Sequence, residues 1–140
     1  MHQKITDSRL HQTAPELGSR PGFEGLAFDE GCLTFTFGET VVLVEEVREG
    51  FVLTGFVDSL PDETSERLLA ACLISNLNAV KSDLPVISVE ETTRTLILQR
   101  WSHAGTAEEL IAAMEQFSGQ IRRVRDSVCR FSEKIDTKRL

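Results

Sequence analysis

Apolar and polar positions change period several times along the chain, and the changes predict helix, three strands, helix, two strands, helix. Between Lys4 and Leu17, Ile5, Leu10 and Leu17 stand among polar residues, a sparse amphipathic helix that Pro15 shortens or kinks. Gly18 to Gly25, with Pro21-Gly22 inside it, predicts a turn. From Cys32 the period becomes two, with Leu33, Phe35 and Phe37 alternating with Thr34 and Thr36, so a strand with one buried face follows. Thr40 to Val47 opens as a continuous apolar run, the mark of a strand covered on both faces at its start. Phe51 to Val57 is the third strand, and its Gly55 predicts a bulge or a close backbone approach. The short links at Gly38-Glu39 and Glu49-Gly50 make the three an antiparallel meander, with the Leu33-Phe35-Phe37 strand first and therefore at an edge.

Ser59-Leu60-Pro61-Asp62 predicts the start of a helix, with a capping serine and an early proline, running to about Val80. Its apolar residues Leu68, Leu69, Cys72, Leu73, Ile74, Leu77 and Val80 spread over about 240° at about 100° per residue, wider than one stripe. A single sheet cannot cover that arc, and a chain this short has little left for a third layer, so a second subunit is expected over the remainder. Two shorter strands follow, Val86 to Glu90 and Arg94 to Trp101. Thr106-x-x-Glu109 is a capping box that opens the last helix. There Leu110, Met114, Phe117, Ile121, Val124, Val128 and Phe131 recur with a seven-residue period, suited to one long helix on a sheet. Gly119 in mid-helix favours close packing there. The charged tail after Ser132, residues 133–140, is expected to fray.

At 140 residues, 41% hydrophobic and 26% charged, the chain suits one α+β domain over 1–140 that folds without disulfides or metal. Cys32, Cys72 and Cys129 are odd in number, widely spaced and set among apolar neighbours, which predicts reduced, mostly buried thiols in a reducing compartment. No targeting segment or membrane-length apolar run is present, so a cytoplasmic protein is expected. The net charge of −7 opposes nucleic acid and anionic lipid as partners. Positive charge collects in residues 122 to 140, which hold 7 basic and 3 acidic side chains. Arg122, Arg123, Arg125 and Arg130 are read as cations near a helix C-terminus.

The search for chemistry is negative for phosphate loops, dinucleotide fingerprints, nucleophile elbows and zinc or calcium spacings. His2 and His11 lie in the opening element, His103 in the loop after Trp101 is read as solvated, Glu45, Glu46 and Glu49 as surface carboxylates, and Cys32 and Cys72 lie in apolar patterns that leave a Cys-His nucleophile without its electropositive setting. Trp101 with Arg100 is either a binding anchor or, as the preferred reading, packing at a strand end. No enzyme and no cofactor are expected.

Several strings resemble one family in their order. Leu26-Ala27-Phe28-Asp29-Glu30 precedes Leu33-x-Phe35-x-Phe37, Leu60-Pro61 precedes Leu68-Leu69 and Leu73-x-x-Asn76, and two strands and a long helix close the chain. Over roughly residues 17 to 131 this is similar to the class I chaperones of bacterial type III secretion, from which the opening segment departs at Pro15 and Ser19-Arg20-Pro21-Gly22.

The resemblance implies a homodimer that binds the N-terminal region of a secreted effector in an extended state and keeps it soluble for export, a role in virulence, with secretion apparatus components as further partners. It implies a dimer interface on the middle helix, here Leu68, Leu69, Cys72, Leu73, Asn76, Leu77 and Val80. It also implies an effector groove between the opening helix and the sheet, here Ile5, Leu10 and Leu17 facing Leu33, Phe35 and Phe37. Two other classes fit the composition. One is a dimeric small-ligand or enzymatic α/β domain with a pocket lined by Phe35, Phe51, Phe56 and Trp101, and the other is an adaptor for a folded partner.

Overall fold

The computed structural model describes residues 23–29, 31–60, 66–82 and 85–139. The expected opening helix, with Ile5, Leu10, Leu17, His2 and His11, lies outside them. Among the described residues six strands form one antiparallel sheet: β1 (Phe23–Asp29), β2 (Cys32–Phe37), β3 (Thr40–Val47), β4 (Gly50–Ser59), β5 (Val86–Glu90) and β6 (Thr95–Ser102). Helix α1 (Glu66–Ser82) stands between β4 and β5, and α2 (Ala107–Arg139) closes the chain. The spatial order is β1-β2-β3-β4-β6-β5.

The first correction is β1. The residue pattern predicts a turn through Gly25, yet Phe23–Asp29 pairs with β2, and the pairing slips between Glu24 and Ala27. Gly25 takes a positive φ of 62° there. A glycine and a bulge break the period of two, which hides this strand from a pattern reading. As a consequence β2 is not an edge. Its two neighbours are β1 and β3, and among the described residues the edges of the sheet are β1 and β5.

Register assigns the faces. Leu33 stands opposite Val44, Phe35 opposite Val42, Val42 opposite Gly55 and Gly55 opposite Leu98. These side chains share one face and are buried under α2, whose Leu110, Ile111, Met114, Phe117 and Ile121 are equally buried. Gly55 makes that approach possible, since a Cβ on it would overlap Ile121 Cδ1 and lie 3.3 Å from Phe117 Cε2. Close approach therefore falls at Gly55. A Cβ on Gly119 would meet nothing nearer than Arg123 at 4.0 Å, so tight packing at that position is not found.

The helix ends are built partly as expected. Thr106 Oγ1 accepts the Glu109 amide at 3.1 Å, while the Glu109 carboxylate accepts from the Gly105 amide rather than closing the box on Thr106. Ser59, expected to cap the middle helix, instead ends β4 opposite Thr95. The last helix continues to Arg139, through the tail expected to fray. Arg122 to Arg130 thus lie in mid-helix, not at its C-terminus, and the dipole reading of their charge is set aside. Arg125 ties the helix to the sheet instead. Its guanidinium donates to the Val57 and Phe56 carbonyls at 2.8 and 3.0 Å, where the pairing of β4 with β6 slips.

Candidate functional site

Helix α1 sits at the β5 edge of the sheet, and one side chain holds it there. The Asn76 amide donates to the Ile87 carbonyl at 2.7 Å and accepts the Ile87 amide at 2.6 Å. A side-chain amide so placed imitates one residue of a neighbouring strand and satisfies both backbone groups that an edge would expose. Within one chain, Asn76 thus serves to tie α1 to β5. Leu68 is 5% exposed, and Cys72 is partly buried against the core. Leu68, Cys72 and Asn76 thus lie on the side of the helix that faces its own sheet and α2. Leu69, Leu73 and Leu77, four residues apart, and Ile74 point the other way and stay open. Leu73, Ile74 and Leu77 are each at least 60% exposed. The side chain of Val80 lies outside the described residues.

A second apolar surface lies on the far side of the sheet. Thr34 opposes Leu43, Thr36 opposes Val41, Val52 opposes Trp101 and Phe56 opposes Ile97, and both described helices pack on the other face. Val41, Leu43, Val52 and Ile97 are partly open, while Phe56 and Trp101 are exposed. The Trp101 indole donates to His103 Nδ1 at 2.9 Å. Trp101 is thus an exposed side chain with one polar tie, not a packed strand end. Ser88 Oγ, on this face opposite Ile97, is buried and has no hydrogen-bond partner among the described residues.

The groove residues expected on β2 fare differently. Leu33 and Phe35 are fully buried in the core of the single chain, because β1 flanks them on one side and α2 lies over the same sheet face. Phe37 is partly buried against that core. The aromatic pocket is overturned too. Phe35 and Phe51 belong to the core, whereas Phe56 and Trp101 stand on the opposite face, so the four do not converge.

Reactive groups are scattered. Cys129 is exposed, which corrects the expectation of buried thiols, while Cys32 and Cys72 are partly buried. Burial pushes the Cys72 thiol up, away from the thiolate a nucleophile needs. Among the described residues no three His, Cys, Asp or Glu side chains come together as metal ligands. No helix among them is long and apolar enough to cross a membrane.

Residues 12–125 match the Tir chaperone protein (CesT) family, well over half of the chain. The chain belongs to that family. Membership in the CesT family makes it a chaperone of the type III secretion class, an effector binder and not an enzyme. The fold agrees. A chain in the solved structure of the HopA1-SchA chaperone-effector complex superimposes with a TM-score of 0.65 at 16% identity, over 88% of this chain and 94% of that one. No curated protein matches the sequence. Against the CesT pattern of elements, the features that pattern reading missed are β1, Asn76 as the tie to Ile87, and Arg125 as the tie to β4. Only Asn76 carried a signal beforehand, as the polar position in the string Leu73-x-x-Asn76.

Proposed function

We propose that this CesT-family chain acts as a homodimer in the bacterial cytoplasm and holds the N-terminal region of a secreted effector in an extended, export-competent state. The observation that carries the reading is the apolar surface of α1, where Leu69, Leu73, Ile74 and Leu77 stand open on a helix already anchored on its other side. A monomer seldom leaves so many large aliphatic groups together in water. A second copy is the occupant proposed, because the same stripe on two copies can be buried reciprocally about a twofold axis. The effector segment would then use the β1 edge, whose outer backbone groups face no described strand. The β5 edge is less suited, since Asn76 occupies Ile87 and Pro85 lacks an amide.

The experiment is co-expression with a type III secreted effector, chosen by pull-down with this chain, followed by purification, sedimentation and amide exchange on the complex. The expected result is two copies of this chain per effector, with an effector N-terminal segment protected only where it pairs as a strand. Leu73→Glu should give a folded monomer, since that side chain contributes little within one chain. A wild type that sediments as a monomer at micromolar concentration refutes the dimer. An effector bound fully folded, with unchanged exchange in its N-terminal segment, favours the adaptor reading.

A further inference from the structure

A cleft separates α1 from α2 on the helix-covered side of the sheet, formed by two adjoining cavities of about 250 and 260 Å³ that share Ser75, Ile87, Arg123 and Val124. Its floor is apolar. Ile87 of β5 lies at the base, Leu68 and Cys72 form one wall, and Val124 and Val128 form the other. These last two continue the heptad seam of α2. Its earlier members, Leu110 to Ile121, are fully buried on the sheet, whereas Val124 and Val128 are only partly buried and open to the cleft. The seam thus outruns the core that α1 and the sheet supply.

Arg123 lines both cavities and is exposed. Its guanidinium has no hydrogen bond or ion pair among the described residues, unlike Arg125 and Arg130 on the same helix. The setting is unusual for this chain, because residues 1 to 121 hold 8 basic and 19 acidic side chains while 122 to 140 hold 7 and 3. One arginine of this basic stretch, Arg123, stands at an apolar cleft of an otherwise acidic protein. Clefts of this kind select occupants by charge sign as well as by burial.

We infer that the cleft between α1 and α2 binds an extended client segment in which apolar side chains alternate with carboxylates. The apolar side chains would fill the two cavities on either side of Val124, and a carboxylate would meet Arg123. This inference rests on the client-binding reading and adds a second contact region and a chemistry to it. The cleft and the Leu69-Leu73-Leu77 stripe occupy opposite sides of α1, since Leu68 and Cys72 face inward while the stripe faces out. Client and second subunit therefore do not compete for the same side of the helix.

The test uses the full-length protein and two fluorescein-labelled peptides of about ten residues, with leucine and valine alternating with glutamate in one and with lysine in the other. Anisotropy should show the glutamate peptide binding at least about fivefold more tightly, with the preference shrinking as salt rises. Arg123→Glu, at an exposed position, should leave the circular dichroism unchanged and reverse the preference, and Val124→Ser should weaken both peptides. Equal binding of the two peptides, a lysine preference in the wild type, or indifference to Arg123→Glu would overturn the inference. A change of oligomeric state in Arg123→Glu would also overturn it, by making the cleft a subunit contact. The purified effector separates the two readings. If it binds wild type and Arg123→Glu alike, the chaperone reading stands and the cleft fails. If it does not bind wild type, the chaperone reading itself fails.

Discussion

Removing the Asn76 side chain tests what positions α1, and with it every surface that the helix presents. Asn76→Ala deletes two short hydrogen bonds to Ile87 and leaves one amide and one carbonyl of an edge strand without partners. A neutral hydrogen bond contributes a net ~0.5–1.5 kcal/mol, and leaving its partner buried and unmet costs ~1–3 kcal/mol. The site is part-buried, so water reaches it in some measure, and the expected loss is about 1.5–3 kcal/mol. Asn76→Asp has a sharper signature. Its carboxylate can accept the Ile87 amide but sets a second oxygen against the Ile87 carbonyl, and only the protonated acid can donate there. The folded state therefore raises this carboxyl above its unfolded value. The folded form then binds more protons than the unfolded form between the two values, so stability is greatest at low pH and is lost as pH rises through the folded value. Urea unfolding followed by far-UV circular dichroism, at one fixed protein concentration because dimerisation is linked to folding, should show Asn76→Asp closer to wild type at pH 5 than at pH 7.5. Amide exchange at Ile87 should accelerate in Asn76→Ala. A loss below about 0.5 kcal/mol with unchanged exchange at Ile87 would show that α1 is held by its apolar contacts alone.

The other outcomes follow from packing and capping. Gly55→Ala sets a methyl against Ile121 and should cost about 1–3 kcal/mol; Ile121→Val, which costs ~0.5–1.5 kcal/mol alone, should relieve part of it, and strictly additive losses would refute the contact. Thr106→Ala should cost about 1 kcal/mol in thermal unfolding by freeing the Glu109 amide, while Thr106→Ser should keep most of it. Iodoacetamide followed by peptide mass mapping should label exposed Cys129 before Cys72, whose rate should climb with pH because its thiol is raised by burial. Labelling of Cys72 first would contradict the burial assigned to it.

Much of this architecture was legible in the residue pattern, since period-two and period-3.6 burial are local properties of strand and helix geometry. Leu33, Phe35 and Phe37 announced β2, the Thr106 box announced α2, and Leu110 to Ile121 announced its buried seam. The breadth of the α1 arc also announced that one sheet would not cover it. What the pattern could not decide was which part of that arc the chain keeps for itself. Periodicity ranks residues by face, but only the docking of α1 on β5 turns Leu68, Cys72 and Asn76 inward and leaves Leu69, Leu73 and Leu77 outside. The same holds for edges. A strand's own sequence carries its pleat and not its neighbours, so Leu33 and Phe35 read as an edge until Phe23–Asp29, masked by Gly25 and a bulge, paired beside them. Charge followed the same rule, for Arg122 to Arg130 are a basic run in the sequence, and only the fold gives Arg125 the carbonyls of β4 and Arg123 a cleft. Hydrogen bonds between residues 11 and 68 positions apart, such as Asn76 with Ile87 and Arg125 with Val57, are set by tertiary contact, and no local pattern encodes them.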